Sequence, residues 1–156
     1  MIKKLEILKN PNEILRKISE EIDTSELKNP EFLKFVKSME KTMKMANGAG
    51  LAAPQVGKNI RLIIINQGEK SLVMINPQIT KKSWSKKIED EGCLSVVDKD
   101  GSLYYKKVAR HKKVNCSYID LKAKKRKISA EGLLSKAIQH EIDHLDGILF
   151  IDKLEK

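Results

Sequence analysis

Aromatic residues are scarce in this chain: one Trp, three Tyr and three Phe among 156 residues. A core at this length must therefore rest on Ile, Leu, Val and Met. Cysteine is scarcer still. Cys93 and Cys116 lie in different contexts and give no disulfide framework, so a reducing cytoplasm is the expected compartment. No stretch is apolar enough for a membrane span, and the opening MIKKLEILKN lacks the apolar run of a signal peptide. Repeats, low-complexity tracts and linker-like segments are absent too, so residues 1–156 are expected to form a single domain.

Charge is what the chain has in abundance. Hydrophobic content of 40% with 33% charged residues fits a globular protein, and the net charge is +10. The densest basic run is Lys122-Ala123-Lys124-Lys125-Arg126-Lys127, between two strand-like segments. It reads as a solvated hairpin turn. No aromatic accompanies it, so sequence-specific nucleic-acid recognition is not expected.

A short helix is expected over 11–19, with Asn10 as its cap and Pro11 in the first turn. Asn29-Pro30-Glu31 repeats that start signal, and Phe32, Leu33, Val36, Met39 and Met43 then follow helical spacing to about 46, as a core-facing stripe. Segments 60–66 and 72–76 read as strands bounded by Gly68 and Pro77, and 79–88 as a further strand containing Trp84. Residues 112–121 alternate and pair with 126–130 across the basic turn, which makes Cys116 a buried core residue. A last helix over 132–146 has apolar faces from Leu133, Leu134, Ala137, Ile138 and Ile142 and is expected to be buried among strands. Helices and strands mix without a repeating βαβ order. The fold class is α+β: a small mixed-strand domain wrapped around that buried helix.

The same helix carries His140-Glu141-Ile142-Asp143-His144. Histidines at i and i+4 share a helix face and can reach one metal ion, while the intervening Glu141 can handle a proton on metal-activated water. A hydrolytic site of this kind needs a third ligand and one open position. The extended protease pattern would supply a downstream His, but Phe150 stands there, and the lone Glu downstream is Glu155. The third ligand is therefore expected upstream: His111, an acidic residue, Cys93 or Cys116. Cys93 stands out in Glu91-Gly92-Cys93-Leu94-Ser95, where Gly92 lets the backbone approach a ligand closely.

A third stretch, Gly48-Ala49-Gly50-Leu51-Ala52-Ala53-Pro54-Gln55, precedes these two. A G-x-G-L-A-A-x-Q loop, an E-G-C-L-S segment and a Q-H-E-x-x-H-L-x-G helix in that order resemble the peptide deformylase family, over about 11–154. The resemblance implies a metal-dependent hydrolase that removes the formyl group from formyl-methionyl nascent peptides. It implies Cys93, His140 and His144 as metal ligands and Glu141 as the catalytic base. The side-chain amide of Gln55 and the backbone N–H of Leu94 would be the oxyanion donors. Gly50 would let the peptide backbone come close, and Ala49, Leu133 and Ala137 would line a methionine pocket. Ferrous iron is the implied metal in the cell, with Zn2+, Ni2+ or Co2+ compatible with the ligand set. A Glu91–Arg110 pair is also implied, although Val108-Ala109-Arg110 matches the family's V-P-R only in part. The basic surface would suit an approach to the ribosome.

The chain departs from the family pattern after Ser95, where Val96-Val97 and an exposed-turn stretch, Asp98-Lys99-Asp100-Gly101, replace an apolar residue and proline. Two other readings compete: a non-catalytic peptide- or ribosome-binding relative, which the full set of ligands and base argues against, and a metallopeptidase, which Phe150 argues against.

Overall fold

Asn29 starts the first long helix. Its side chain accepts the Glu31 N–H at 3.0 Å while Pro30 occupies the first turn, where a missing N–H costs nothing. The computed structural model describes residues 2–155. Helix α1 spans Pro30–Met45 and α2 spans Gly132–Leu145. The strands among the described residues are β1 (Gly50–Ala52), β2 (Leu62–Gln67), β3 (Lys70–Lys82), β4 (Lys86–Glu91), β5 (Lys106–His111), β6 (Lys113–Ile119) and β7 (Lys125–Glu131).

One antiparallel sheet has the order β1-β2-β3-β6-β7, and β4 and β5 pair as a separate ribbon. Strand β2 shows why the sheet sits where it does. Leu62 and Ile64 join Val36, Met39 and Met43 of α1, whereas Ile63 and Ile65 join Ile138, Ile142 and Leu145 of α2. A strand covered on both faces needs an unbroken apolar run, which Leu62-Ile63-Ile64-Ile65 supplies. Truncating one of these fully buried side chains, such as Ile64→Ala, would cost about 2–5 kcal/mol. A smaller cluster of Leu15, Val96, Val108, Leu149 and Phe150 packs around Cys93.

The α+β class with a buried H-E-x-x-H helix is what the structure has, and Cys116 lies in the core at 1% exposure. Several local expectations need correction. The 11–19 helix shrinks to a 3-10 turn over Glu13–Arg16, capped by Asn12 rather than Asn10. The flanking backbone is committed elsewhere: the Asn10 N–H donates to the Ser95 carbonyl and the Ser19 N–H to the Leu145 carbonyl. Strand β3 runs through Pro77 instead of ending there. The register shifts between Ile75 and Gln78, and such an irregularity accommodates a residue with no N–H to give. The expected 79–88 strand is broken at Ser83–Ser85, which places Trp84 in a turn. Leu133 projects outward at 77% exposure rather than into the core. No helix among the described residues is long and apolar enough to cross a membrane.

Candidate metal centre

Helix α2 delivers three buried polar side chains in one and a half turns. His140, Glu141 and His144 are 9%, 4% and 1% exposed. The β4–β5 ribbon delivers the fourth, because Cys93 follows β4 after Gly92. One donor atom each from Cys93, His140 and His144 lie within 4.8 Å of one another, and Cys93 Sγ is 3.2 Å from His144 Nε2. One thiolate and two imidazoles at this separation fit a single transition-metal cation with a further position open. Cys93 is thus the upstream candidate brought to the histidines. His111 is turned away: its Nδ1 donates to the Ser83 carbonyl at 2.7 Å. Phe150 packs near the His140 ring, with centroids 6.3 Å apart.

The candidate ligand side chains are themselves held. His140 Nδ1 donates to Glu91 Oε2 at 2.7 Å, which leaves Nε2 as the free coordinating atom. Glu91 is in turn gripped by both sides of the Arg110 fork, at 3.0 Å from Nε and 2.6 Å from Nη2. Arg110 extends a further bond to Asp143 Oδ2 at 2.5 Å, and so ties the ribbon to α2. Burial would raise the Glu91 carboxyl, but hydrogen bonds from His140 and Arg110 outweigh it and hold the group at about 2. Glu91–Arg110 is therefore an ion pair in the structure, and Asp143, within the H-E-x-x-H segment itself, completes it.

Glu141 is placed differently. Its Oε1 lies 3.8 Å from His140 Nε2, and its Oε2 is buried with no partner among the described residues. Burial, reinforced by Glu91 and Asp143, pushes this carboxyl up to about 7 against the pull of His140 and Arg110. The space it occupies exists because residue 50 is glycine: a Cβ there would sit 2.9 Å from Glu141 Cγ and 3.0 Å from Oε1. Gly92 also clears a side chain. A Cβ would come within 2.7 Å of the Tyr105 ring, so this glycine makes room for Tyr105 rather than for a ligand.

Gln55 is 1% exposed. Its Oε1 accepts the Ala52 N–H at 2.9 Å, which turns Nε2 toward Ser95 Oγ at 3.1 Å and Cys93 Sγ at 3.7 Å. Leu94 adjoins the same space, and its carbonyl accepts from Lys9 Nζ at 2.6 Å. A cleft of about 450 Å³ opens over these groups, and Ala49, Gly50, Leu133 and Ala137 are all on its wall, with His140 and Glu141. Tyr105 and Leu103, neither marked by a motif, add an apolar rim. Asp143 and Ser95 stand within the motifs but had no role from sequence, and Tyr105 and Leu103 carried no motif signal at all. Asp143 carried a usable signal, since three residues after His140 on a helix puts it on a shared side.

Residues 4–156 match the family model described as polypeptide deformylase. A peptide deformylase of Thermodesulfovibrio yellowstonii is 44% identical over 155 residues, covering 96% of this chain and 88% of that protein. One of Desulfitobacterium hafniense is 45% identical over 127 residues, 81% of either chain. The Met-Ala-Ser-bound class I type b peptide deformylase of Acinetobacter baumannii superposes with a TM-score of 0.91 at 32% identity, covering 99% of this chain and 100% of that one. The actinonin-bound structure of that enzyme gives 0.90, also at 32% identity, with 98% and 99% covered.

Proposed function

The chain belongs to the peptide deformylase family, and from that premise we propose that Cys93, His140 and His144 hold its divalent metal ion while Glu141 handles the proton of the reaction. The activity is metal-dependent hydrolysis of the N-terminal formyl group of formyl-methionyl nascent peptides, with release of formate. The observation that carries the residue assignment is the convergence of three metal-ligating atoms within 4.8 Å, beside a buried carboxylate on the same helix.

A cation held by Cys93, His140 and His144 would supply Lewis acidity, toward a water molecule and toward the formyl oxygen. Glu141 takes the proton as the water oxygen attacks the formyl carbon. It then gives the proton to the leaving amine as the C–N bond breaks, so that water divides between formate and the new N-terminus. Gln55 Nε2 and the Leu94 N–H donate to the oxygen that gains negative charge, and the Ala52 bond to Gln55 Oε1 keeps the amide from flipping. Ala49, Gly50, Leu133 and Ala137 contact the substrate, with the methionine side chain in the cleft that they border.

Ferrous iron is the metal we assign in the cell, with zinc, nickel or cobalt able to replace it. Residues 1–156 act as one catalytic domain. A cytoplasmic setting, where Cys93 stays reduced, and an approach to the ribosome through the basic surface complete the reading. The test is formate release from a formyl-Met tripeptide by protein loaded anaerobically with ferrous iron or with nickel. Release abolished by chelator is the expected result; no release from folded, metal-replete protein would favour a binding protein without turnover.

A further inference from the structure

The chain's only tryptophan is 98% exposed and stands at the centre of Lys81-Lys82-Ser83-Trp84-Ser85-Lys86-Lys87. An indole left in water forgoes the burial that normally stabilises it. This one is nevertheless presented on a fixed turn. The Ser83 N–H donates to the Lys113 carbonyl at 2.8 Å, and the Lys113 N–H returns a bond to Ser83 Oγ at 3.0 Å. Ser83 Oγ donates to the Ser85 carbonyl at 2.8 Å, which also accepts the Lys112 N–H at 3.0 Å. His111 Nδ1 donates to the Ser83 carbonyl. The β3–β4 turn is thus pinned to the β5–β6 connection, and little ordering remains to be done when the ring meets a partner.

The two chain segments that form the turn carry charge of one sign. No acidic residue occurs between Lys81 and Ile88 or between His111 and Ile119. Lys87 pairs with Glu89 at 3.0 Å and Lys113 lies 3.6 Å from Glu131, whereas Lys81, Lys82, Lys86 and Lys112 make no ion pair among the described residues. Register places these lysines on the strands that flank the turn: Lys81 is opposite Asn115, Lys82 opposite Val114, and Lys86 opposite His111. The patch is separate from the metal centre. Lys86 and Glu91 are the two ends of β4, roughly 17 Å apart at 3.4 Å per residue.

We propose that Trp84 and its lysine collar bind single-stranded RNA, the ring stacking on an unpaired base while Lys81, Lys82, Lys86 and Lys112 take the flanking phosphates. The chemistry favours RNA over a lipid surface. A membrane-seated indole is normally accompanied by other apolar side chains, whereas the immediate flanks here are Ser and Lys. A lone aromatic among cations is what a stacked base between two phosphates requires. That RNA is the partner within reach rests on the nascent-chain reading, but the surface and the deformylation site can be tested apart.

Because Trp84 is the sole tryptophan, its emission reports on the contact directly. The metal-loaded protein would be titrated with an oligouridylate of about 12 nucleotides, within the length one such site spans. Saturable quenching that weakens as salt rises is expected. By anisotropy of labelled RNA, Trp84→Ala should bind about tenfold more weakly, and Lys82→Glu with Lys86→Glu should lose binding comparably. Both variants should release formate from a formyl-Met tripeptide at the wild-type rate, which also shows that they fold. If Trp84→Ala does not fold, the lysine double variant and the wild-type quench decide the matter. Unaltered emission on adding RNA, or equal RNA affinity for wild type and folded variants, would overturn the proposal. So would a blue shift with phosphatidylserine vesicles in the absence of any RNA response, which would make the surface a lipid contact.

Discussion

Gly50→Ala isolates the role of β1 in placing the base. Residue 50 is paired with Ile65 in an ordinary extended strand, so alanine brings no backbone strain. What it brings is a methyl 2.9 Å from Glu141 Cγ and 3.0 Å from Oε1, where ordinary contact begins at 3.4 Å. Glu141 is 4% exposed and cannot swing into solvent, so its carboxylate must shift by roughly 0.5–1 Å. Displacements of that size cost on the order of a hundredfold in rate, or about 2.7 kcal/mol of transition-state stabilisation. The assay is formate release over a range of formyl-Met tripeptide concentrations, with bound metal and Tm measured on the same preparation. We expect kcat to fall about a hundredfold with metal content and Tm near wild type. Unchanged kcat with raised KM would refute the reasoning, because the added methyl would then hinder the substrate without displacing Glu141.

Glu141→Ala should retain its metal and lose at least about a hundredfold in kcat; full turnover at equal metal content would remove Glu141 from the proton path. Cys93→Ser should release metal at lower chelator concentration, since a hydroxyl is a harder and less readily ionised donor than a thiol; unchanged retention would point to a different third ligand. Arg110→Met leaves the Glu91 and Asp143 carboxylates buried without their cation, and denaturant unfolding at neutral pH should show a loss of about 3–5 kcal/mol. A loss below 1 kcal/mol would mean that the clamp is dispensable. The Glu91 carboxyl is depressed from 4.5 to about 2, so the folded state binds the proton less readily than the unfolded chain. Its contribution is therefore present in full above about pH 4.5 and disappears as pH falls toward 2, and Glu91→Gln should flatten that part of the stability profile.

What the sequence made legible follows from how far each signal is local. Helix α1 was readable because its cap, Pro30 and the Val36, Met39 and Met43 stripe all lie within one segment. The candidate ligands on α2, His140 and His144, were readable for the same reason. Strand β5 went unseen although it alternates correctly: its inward positions are Val108 and Arg110, and a buried arginine breaks the apolar period. Strand β1 is three residues long, too short to show any period. Pro77 read as a strand terminator because the bulge that tolerates it is a property of the pairing with β6, not of its own segment. The excess of lysine is plain in the 122–127 run, whereas Trp84 acquires its setting only when the β5–β6 connection brings Lys112 and Lys113 behind the turn.

The three side chains proposed as metal ligands belong to two structural units, and nothing in helix geometry alone fixes the gap between them. The spacing of His140 and His144 is set by α2. The position of Cys93 depends on how the β4–β5 ribbon docks on α2, where Arg110 acts beside the Gln139–His111 and Lys136–Asp90 bonds. Arg110 leaves β5, grips Glu91 near Cys93, and reaches Asp143 between the two histidines. Glu91 then closes the circuit by accepting from His140 Nδ1. Each bond in this ring both satisfies a buried charge and fixes a distance that metal binding needs. The fold and the site therefore share one set of contacts: the charges that cost most to bury are those that hold the thiol against the imidazoles. A variant that loosens the ring should lose metal before it loses its fold, since the apolar packing of α2 on β2 through Ile63, Ile138 and Leu145 does not pass through Arg110.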